Sequence, residues 1–162
     1  MNQKRCNVAF DLDGTLTDPF AGISRSVQRG LAAVGIVVDD PDSLGFFIGP
    51  PLHTTLREVY GLDPGQVQKA VAAYRAYYDD RGMYENVVYP GIPEVMEEIR
   101  ARGARVCLAT SKPLYYARKI LDHFGLARYF DALAGSELDG TRSDKTEVLA
   151  WLLQTQGLFA TA

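Results

Sequence analysis

A short apolar run ending at Phe10 opens the chain and is cut off by Asp11, which predicts a buried strand over residues 4–10 followed by a loop. Between residues 15 and 90, apolar side chains recur at the three- and four-residue spacing of amphipathic helices. That segment therefore predicts helices and loops, with no clear strand.

Three helices are predicted in this periodic segment. The first is expected to have Asp18 as its N-cap and Pro19 as its first residue, and to stop at Gly35. A second, short helix is predicted over residues 52–60. A third opens at Asp63, because a proline follows at the first helical position.

Beyond Pro90 the pattern changes to strands alternating with helices, which is typical of a parallel sheet with right-handed crossovers. We therefore expect one α/β core, residues 1–16 and 90–162, with an α-helical unit, residues 17–89, inserted after the first strand. The elements predicted after Pro90 are a helix over residues 93–102, a strand over 105–109, a helix over 114–124, a strand over 130–134 and a helix from Ser143 or Asp144 to about Gln156.

Composition narrows the class of protein. With 162 residues and 47% hydrophobic content, the chain can bury one sizeable core and at most a small satellite domain. The net charge of −3 provides no basic field, so neither a nucleic-acid partner nor an anionic membrane is expected. No apolar run approaches the roughly 20 residues of a membrane helix, and we expect a soluble, cytoplasmic protein. Cys6 and Cys107 are predicted to be buried free thiols, with a disulfide or a metal pair as the alternative.

The first candidate motif, Asp11-Leu12-Asp13-Gly14-Thr15, follows the first predicted strand. The carboxyl ends of parallel strands border the crevice where open α/β sheets bind ligands, and a turn at Gly14 would let both carboxylates point into one site. One carboxylate could attack phosphorus while the other exchanges protons, and the pair suits a hard cation such as Mg²⁺. The alternatives are a solvated turn and part of a calcium loop, although the last EF-hand ligand is missing.

Two further polar segments follow the later strands. Thr110-Ser111-Lys112-Pro113 precedes a helix, where a hydroxyl and backbone N–H groups can hold an anion; an ordinary N-cap is the alternative. Lys145 stands at the start of the last predicted helix, where the helix dipole mildly disfavours a cation. A nearby phosphate would explain that lysine, and a solvated surface lysine is the alternative.

The order of these signals, an acidic pair, then a hydroxyl, then a lysine, resembles the first three motifs of the haloacid dehalogenase superfamily. The resemblance covers nearly the whole chain and is closest to the phosphoglycolate phosphatase and 5′-nucleotidase-like branch. The phrases that carry it are Phe10-Asp11-Leu12-Asp13-Gly14-Thr15-Leu16-Thr17-Asp18, Tyr89-Pro90-Gly91, Ala109-Thr110-Ser111-Lys112-Pro113 and Gly135-Ser136-Glu137-Leu138-Asp139-Gly140-Thr141-Arg142.

The resemblance implies a Rossmann-like core with an α-helical cap, and a Mg²⁺-dependent phosphoric monoester hydrolase acting on a small phosphorylated metabolite, phosphoglycolate or a nucleoside monophosphate. Asp11 would be the nucleophile and, with the backbone carbonyl of Asp13, a Mg²⁺ ligand. Asp13 would be the acid/base, which favours a phosphatase over a dehalogenase because a halide leaves without a proton. Thr110 and Lys145 would hold the phosphate.

Substrate contacts are expected from the core motifs and from the cap. Pro50 lies in a segment that resembles the family's substrate-specificity loop, and Arg57 could meet a second anionic group, with a solvated helix charge as the alternative. The residues expected to contact substrate are Gly14, Thr15, Ser111, Lys112, Pro50 and Arg57.

The chain departs from the family near its C-terminal end. The family's fourth motif, an acidic Gly-Asp pattern after one more strand, supplies the remaining carboxylate ligands to the metal, whereas no Asp or Glu follows Glu147 here. We therefore expect a truncated core with weak Mg²⁺ affinity and weak or absent turnover. The first strand is expected to keep an open apolar edge, through which a homodimer could form.

Two other functional classes stay open at this point. One is a truncated, non-catalytic homologue that binds phosphate or a partner without turnover. The other is a phospho-acceptor signalling domain, which also phosphorylates an aspartate in a parallel α/β sheet. The helical cap and Asp13 argue against the signalling domain, because a receiver domain needs neither.

Overall fold

The computed structural model describes residues 6–157. The chain divides into two compact units, residues 1–17 with 88–162 and residues 18–87, whose bounds lie within two residues of the predicted ones. In chain order the elements are β1 (Asn7–Phe10), β2 (Thr17–Asp18), α1 (Phe20–Ala32), α2 (Leu52–Tyr60), α3 (Pro64–Asp80), β3 (Val87–Val88), α4 (Ile92–Ala101), β4 (Arg105–Pro113), α5 (Leu114–His123), β5 (Ala132–Ser136) and α6 (Lys145–Gln156), with 3-10 helices at Pro41–Phe47, Gly82–Tyr84 and Ala127–Tyr129.

The first unit is built on a parallel sheet with the strand order β1-β4-β5. Phe10 pairs with Leu108, and Ala109 pairs with Ala134. The carboxyl ends of the three strands therefore come to one edge of the sheet, which is where ligands bind in open α/β folds. Strands alternate with α4, α5 and α6 along the chain, so the predicted α/β class with a parallel sheet is confirmed.

Helix α6 packs against β4 and β5 through small strand residues. Alternate positions of each strand face the helix, as the two-residue period of a strand requires. Because the strand side chains are small, the helix can approach closely and bury Leu152, and burial of such a side chain stabilises the fold by about 1.5–3 kcal/mol. The cluster consists of Cys107, Ala109, Ala132, Ala134, Val148 and Leu152, with Trp151 partly buried against it.

Several strand bounds differ from their predictions. β1 begins at Asn7, and residues 4–5 of its predicted range lie outside the described part of the chain. β5 ends at Ser136 rather than at residue 134. β4 was expected to end at Ala109 but continues to Pro113, through an irregular register between these two residues. β5 begins at Ala132 rather than at residue 130. The residues before it form a 3-10 turn, and Asp131 is tied to Val106 by hydrogen bonds in both directions, each of 2.8 Å. Neither a bulge nor a 3-10 turn produces a two-residue alternation, so the apolar pattern did not mark them.

The first strand is more exposed than predicted. Within β1, Asn7 and Ala9 are exposed and Val8 and Phe10 are only partly buried, because β1 stands at the end of the strand order formed by the described residues. The prediction that Cys6 is buried is wrong: its thiol is exposed, while its backbone carbonyl accepts a hydrogen bond from the N–H of Arg105. Cys107 is a buried free thiol as predicted.

The second unit is helical, and its helices meet at glycines. A Cβ on Gly30 of α1 would lie 2.8 Å from the carbonyl oxygen of Ala70 on α3. A Cβ on Gly22 would lie 1.8 Å from the carbonyl oxygen of Gly82, just beyond α3. Only glycine permits this approach of two backbones, so the sequence of α1 is adapted to its packing against the segment that ends α3.

In this unit, the observed N-cap of α3 is the predicted residue, whereas the observed N-cap of α1 lies one residue after the predicted one. Asp63 and Gln66 form a reciprocal capping box at α3. At α1 the N-cap is Pro19 and the first helical residue is Phe20, so the assignment of Asp18 as N-cap is wrong. The Asp18 carboxylate nevertheless accepts a hydrogen bond from the N–H of Phe20, at 3.0 Å, and so satisfies a free donor of the first turn.

The predicted absence of strands between residues 15 and 90 is wrong at two short places. β2 and β3, of two residues each, pair with each other. Two residues are too few to show an alternating pattern, so periodicity could not detect them. Across residues 6–157, none of the helices combines the length and apolarity needed to cross a bilayer.

Candidate active site

The loop after β1 is a tight turn held by two buried leucines. Leu12 and Leu16 are fully buried, and the carbonyl oxygen of Leu12 accepts hydrogen bonds from the N–H groups of Leu16 and Thr17. Gly14 has a φ of +74°, which L side chains rarely adopt. The turn therefore fixes the backbone of the acidic motif, with a glycine at the one position that needs a left-handed conformation.

The first carboxylate of the motif is paired with a lysine from α6. The ammonium of Lys145 lies 2.6 Å from Oδ2 of Asp11 and also donates to the carbonyl oxygen of Ala109, at 3.1 Å. Oδ1 of Asp11 accepts the N–H of Leu12 at 2.8 Å. Asp144 caps α6 by accepting the N–H of Thr146. The cation at a helix start, unfavourable for the dipole, is thus explained by an anionic partner.

The second carboxylate is paired with a lysine from the end of β4. The ammonium of Lys112 lies 2.5 Å from Oδ2 of Asp13, and the two side chains are only 8% and 13% exposed. Oδ1 of Asp13 is buried and has no hydrogen-bond partner among the described residues. The sequence had suggested Lys112 as a substrate contact, whereas here its ammonium is directed to Asp13.

The hydroxyl motif is buried beside these ion pairs. Thr110 is 1% exposed, and its Oγ1 accepts the N–H of Lys112 at 3.2 Å. Ser136, at the end of β5, is also buried and donates to the carbonyl oxygen of Ser111 at 2.8 Å. The segment after the regular part of β4 is thus held by β5 and by a hydrogen bond within itself, and it brings Thr110 and Lys112 to the sheet edge that carries Asp11 and Asp13.

The loop between β5 and α6 is held by Arg142. Its guanidinium pairs with the carboxylate of Glu137, stacks over the Trp151 ring at 4.9 Å and lies 3.5 Å from the carbonyl oxygen of Gly135. Arg142 has a φ of +59°, a left-handed conformation that is strained for a residue with a Cβ. These contacts anchor the loop just before Lys145.

The residues expected to contact substrate do not all lie in the first unit. Gly14 and Thr15 are exposed on the acidic loop, and Ser111 is partly buried beside Thr110. Pro50 and Arg57 lie in the helical unit and are exposed there. Arg57 lines an open groove of about 590 Å³ between α2 and α3, together with His53 and Arg75. Burial, with a contribution from the charge of Arg75, lowers the pKa of His53.

The donor set at the acidic loop suits a hard cation only in part. Two carboxylates lie two residues apart, and one of their oxygens is buried without a partner. Within residues 6–157 there is no cluster of three or more acidic, histidine or cysteine side chains that could hold a metal ion. Mg²⁺ is often bound through one or two carboxylates, with waters and substrate phosphate completing the octahedron, and the pair fits that mode.

Sequence reasoning missed three residues that shape this site. Gly135 and Ser136 were noted only as part of a family-like phrase, and Arg142 was given no role. A buried polar residue at the end of an apolar strand, such as Ser136, would have been the signal, since buried hydroxyls need partners. For Arg142 no local signal existed, because its partners are set by the folded loop.

Comparison with known proteins identifies relatives over nearly the whole chain. Residues 8–158 match the family model described as haloacid dehalogenase-like hydrolase. The chain is 50% identical over 156 residues to a 5′-nucleotidase of Pseudomonas aeruginosa, covering 95% of this chain and 70% of that protein. It is 28% identical over 135 residues to a phosphoglycolate phosphatase of Aquifex aeolicus, covering 83% and 62%.

Two further comparisons bear on the activity and the fold. The chain is 42% identical over 146 residues to the tyrosine-protein kinase PtkA of Mycobacterium tuberculosis, covering 90% of this chain and 50% of that protein. The crystal structure of a predicted phosphatase from Clostridium acetobutylicum superposes with a TM-score of 0.89 at 42% identity, covering 94% of this chain and 71% of that one. The chain therefore spans between half and about seven tenths of the length of these proteins.

Proposed function

Because this chain belongs to the haloacid dehalogenase-like hydrolase family, we propose that it hydrolyses small phosphomonoesters through an aspartyl-phosphate on Asp11. The observation that carries this proposal is the pairing of two carboxylates with two lysines at one sheet edge, Asp11 with Lys145 and Asp13 with Lys112. A nucleophile, a proton donor and a cation for the phosphate are thereby gathered in one place.

The first step forms the covalent intermediate. A carboxylate oxygen of Asp11 attacks phosphorus, the phosphorus–oxygen bond to the leaving group breaks, and the leaving oxygen takes its proton from Asp13. The ammonium of Lys145, already 2.6 Å from Asp11, stabilises the negative charge on the transferring phosphoryl group. We assign to the Thr110 hydroxyl the donation of a hydrogen bond to a phosphoryl oxygen once phosphate is bound.

The second step releases phosphate. Asp13, now a carboxylate, accepts a proton from a water whose oxygen attacks the phosphorus of the aspartyl-phosphate. The bond between Asp11 and phosphorus breaks, and inorganic phosphate leaves. The free carboxylate of Asp11 and the protonated carboxyl of Asp13 are restored, so the cycle closes with one water consumed.

We further propose Mg²⁺ as the cofactor, held by the Asp11 carboxylate and the backbone carbonyl of Asp13. Bound there, Mg²⁺ would neutralise charge on the phosphate and orient it toward the nucleophile. The two carboxylates, two residues apart on this loop, support a hard cation there. In this proposal, the residues of the chain supply the nucleophile, the proton and the lysine charge whether or not Mg²⁺ is bound.

Nucleoside monophosphates are the proposed first substrate class, with phosphoglycolate second. The 50% identity to a 5′-nucleotidase exceeds the 28% identity to a phosphoglycolate phosphatase, which supports this order. The same relatives favour a hydrolase over the alternative of a non-catalytic, phosphate-binding homologue. Cytoplasmic location remains part of the proposal.

A second candidate function is phosphoryl transfer to a protein tyrosine, suggested by the 42% identity to PtkA. An aspartyl-phosphate can pass its phosphoryl group to a hydroxyl as well as to water. The two functions differ in the phosphoryl donor and in the acceptor, so one preparation given each donor in turn tests both. Phosphate release from a nucleoside monophosphate supports the phosphatase, and ATP-dependent labelling of a tyrosine-containing peptide supports the kinase.

The experiment for the proposed function measures phosphate release from a panel of monophosphates with and without Mg²⁺. We expect nucleoside monophosphates to be turned over with a higher kcat/KM than phosphoglycolate, and release to require Asp11. A parallel acid quench should trap phosphate on the chain in an acid-stable, hydroxylamine-labile form, as an acyl phosphate requires. Release that is equal in Asp11→Asn would contradict the proposal.

A further inference from the structure

Among the described residues of the first unit, Lys112 and Asp13 form the most enclosed ion pair. The ammonium lies 2.5 Å from Oδ2 of Asp13, with both side chains nearly buried. A buried carboxylate needs a partner, because removing a charge from water costs several kcal/mol unless it is paired. Oδ1 of the same carboxylate has no such partner within the described residues.

An irregular stretch of β4 sets the direction of the Lys112 side chain. The register of β4 against β5 becomes irregular between Ala109 and Pro113. Bulges of this kind redirect side chains and are common beside active sites. Without the irregularity, the alternation of the strand would continue unchanged past Ala109, and Lys112 would take its direction from the regular pleat.

The irregular segment is fixed from the neighbouring strand. A Cβ on Gly135 would lie 2.8 Å from the carbonyl oxygen of Lys112 and 3.1 Å from the backbone of Leu114, so a larger residue cannot be placed there without a shift. Ser136 donates to the carbonyl oxygen of Ser111 at 2.8 Å. The N–H of Lys112 itself donates to Oγ1 of Thr110. The backbone that carries Lys112 is therefore held by β5 and by Thr110 of its own strand.

We propose that Lys112 is a positioning residue for Asp13. Its ammonium holds Oδ2, so that the carboxyl group keeps one orientation while it exchanges a proton with the leaving group and then with water. This inference rests on the proposed function, in which Asp13 carries that proton. Holding a catalytic group in one geometry avoids the rate loss that a freely rotating carboxylate would cause.

The alternative role for Lys112 is direct contact with the phosphate. That role requires the ammonium to leave Asp13 and so to uncover a carboxylate that is 13% exposed. The two roles differ in how the contribution of Lys112 to the rate depends on the leaving group. A phosphate ligand contributes whatever the leaving group is, whereas a residue that orients the acid contributes most when the leaving oxygen needs a proton.

The test compares Lys112→Met, which removes the charge at similar length, with Lys112→Arg, which keeps it. We measure kcat/KM, which covers the transfer to Asp11, over a series of phosphate esters with leaving groups from alkyl alcohols to 4-nitrophenol. For Lys112→Met we expect a loss of about 10–100-fold with alkyl esters and less than about threefold with 4-nitrophenyl phosphate. Inhibition by inorganic phosphate should stay within about twofold of wild type, and Lys112→Arg should recover part of the loss.

A double-mutant cycle identifies the group through which Lys112 acts. If the lysine works through Asp13, Lys112→Met should change kcat/KM by less than about twofold in an Asp13→Asn background. An equal loss in both backgrounds, or a uniform loss over all leaving groups with weaker phosphate inhibition, would overturn the inference and assign Lys112 to the phosphate. Absence of Asp11-dependent turnover in the wild type would instead count against the proposed function.

A structural measurement tests the inference without turnover. In a high-resolution crystal structure of Lys112→Met we expect the Asp13 carboxylate to leave its single orientation, and in Lys112→Arg to keep it. A carboxylate that stays in place in Lys112→Met would overturn the positioning role even if the variant were inactive. Circular dichroism of both variants verifies that the fold is retained.

Discussion

The ammonium of Lys145 lies 2.6 Å from Oδ2 of Asp11. The two residues belong to the last helix and the first loop of the described chain, and only the parallel sheet brings them together. In the proposed mechanism, this pair keeps the nucleophile and the phosphate-stabilising cation in one place before substrate binds.

Lys145→Met should lower kcat for phosphomonoester hydrolysis by about 10²–10³-fold, because one preorganised charge on the transferring phosphoryl group is lost. The lysine side chain is 41% exposed, so the free energy of unfolding should change little. Steady-state kinetics and urea unfolding measure the two effects. The matched control is Lys119→Met on α5, which should leave kcat unchanged; similar losses in both variants would mean that Lys145 has no specific role.

Arg142→Ala should loosen the loop before Lys145. The guanidinium stacks on Trp151, the only tryptophan in the chain. Loss of this contact exposes the indole to water, so tryptophan emission should shift to longer wavelength. Removing a cation–π contact and an ion pair should cost about 1 kcal/mol of unfolding free energy. An unchanged emission spectrum would contradict the loop anchoring.

Gly22→Ala should destabilise the helical unit by about 2 kcal/mol or more, because overpacking forces backbone shifts. The added Cβ would lie 1.8 Å from the carbonyl oxygen of Gly82. The control is Gly45→Ala in the same unit, whose Cβ would have its nearest neighbour, the Phe20 ring, at 3.9 Å. Thermal unfolding of the two variants should differ clearly, and equal melting temperatures would refute the predicted close approach.

The stabilising contribution of Asp131 to the first unit should be lost in acid. Its carboxylate accepts the N–H of Val106, which, with the nearby charge of Arg100, lowers the pKa of Asp131 in the folded chain. A lowered folded pKa gives stability that is present above the unfolded pKa and is lost as pH falls through the folded value. Asp131→Asn should therefore be less stable than wild type at neutral pH, and the gap should close as the pH falls below the ordinary pKa of an aspartate and through the lowered pKa of Asp131.

Urea unfolding of the wild type and of Asp131→Asn over this pH range measures the difference between their free energies of unfolding. The control is Asp122→Asn, which changes an exposed carboxylate on α5. A gap for Asp131→Asn that stays constant with pH would show that the hydrogen bond, rather than the ionised carboxylate, carries the effect.

The sequence was sufficient for the fold and for the outline of the site. The two carboxylates follow the first strand, the hydroxyl follows the second and the lysine follows the third. Parallel strands bring their carboxyl ends to one edge of the sheet. That rule predicts Asp11 and the loop before Lys145 at the same edge of the sheet. The helix α2 was predicted at its observed bounds because its apolar spacing and its flanking proline and glycine are local signals.

The rest depends on contacts between distant residues. The partner of Lys112 could not be predicted, because an irregular register against β5 sets its direction. The exposure of β1 and Cys6 follows from strand order, which an apolar run does not encode. Arg142 adopts a left-handed conformation that its residue type does not suggest. Strand order, bulges and strained loops are tertiary features, and periodicity reports only the local pattern.

The most direct test of the central claim is hydrolysis of 4-nitrophenyl phosphate by the mass-verified chain, with Mg²⁺ or with EDTA, beside Asp11→Asn. The substitution removes the proposed nucleophile but keeps the size of the side chain. We predict Mg²⁺-dependent release of 4-nitrophenol that falls to the uncatalysed rate in Asp11→Asn. Equal rates from the two folded proteins would contradict an aspartyl-phosphate mechanism at this site.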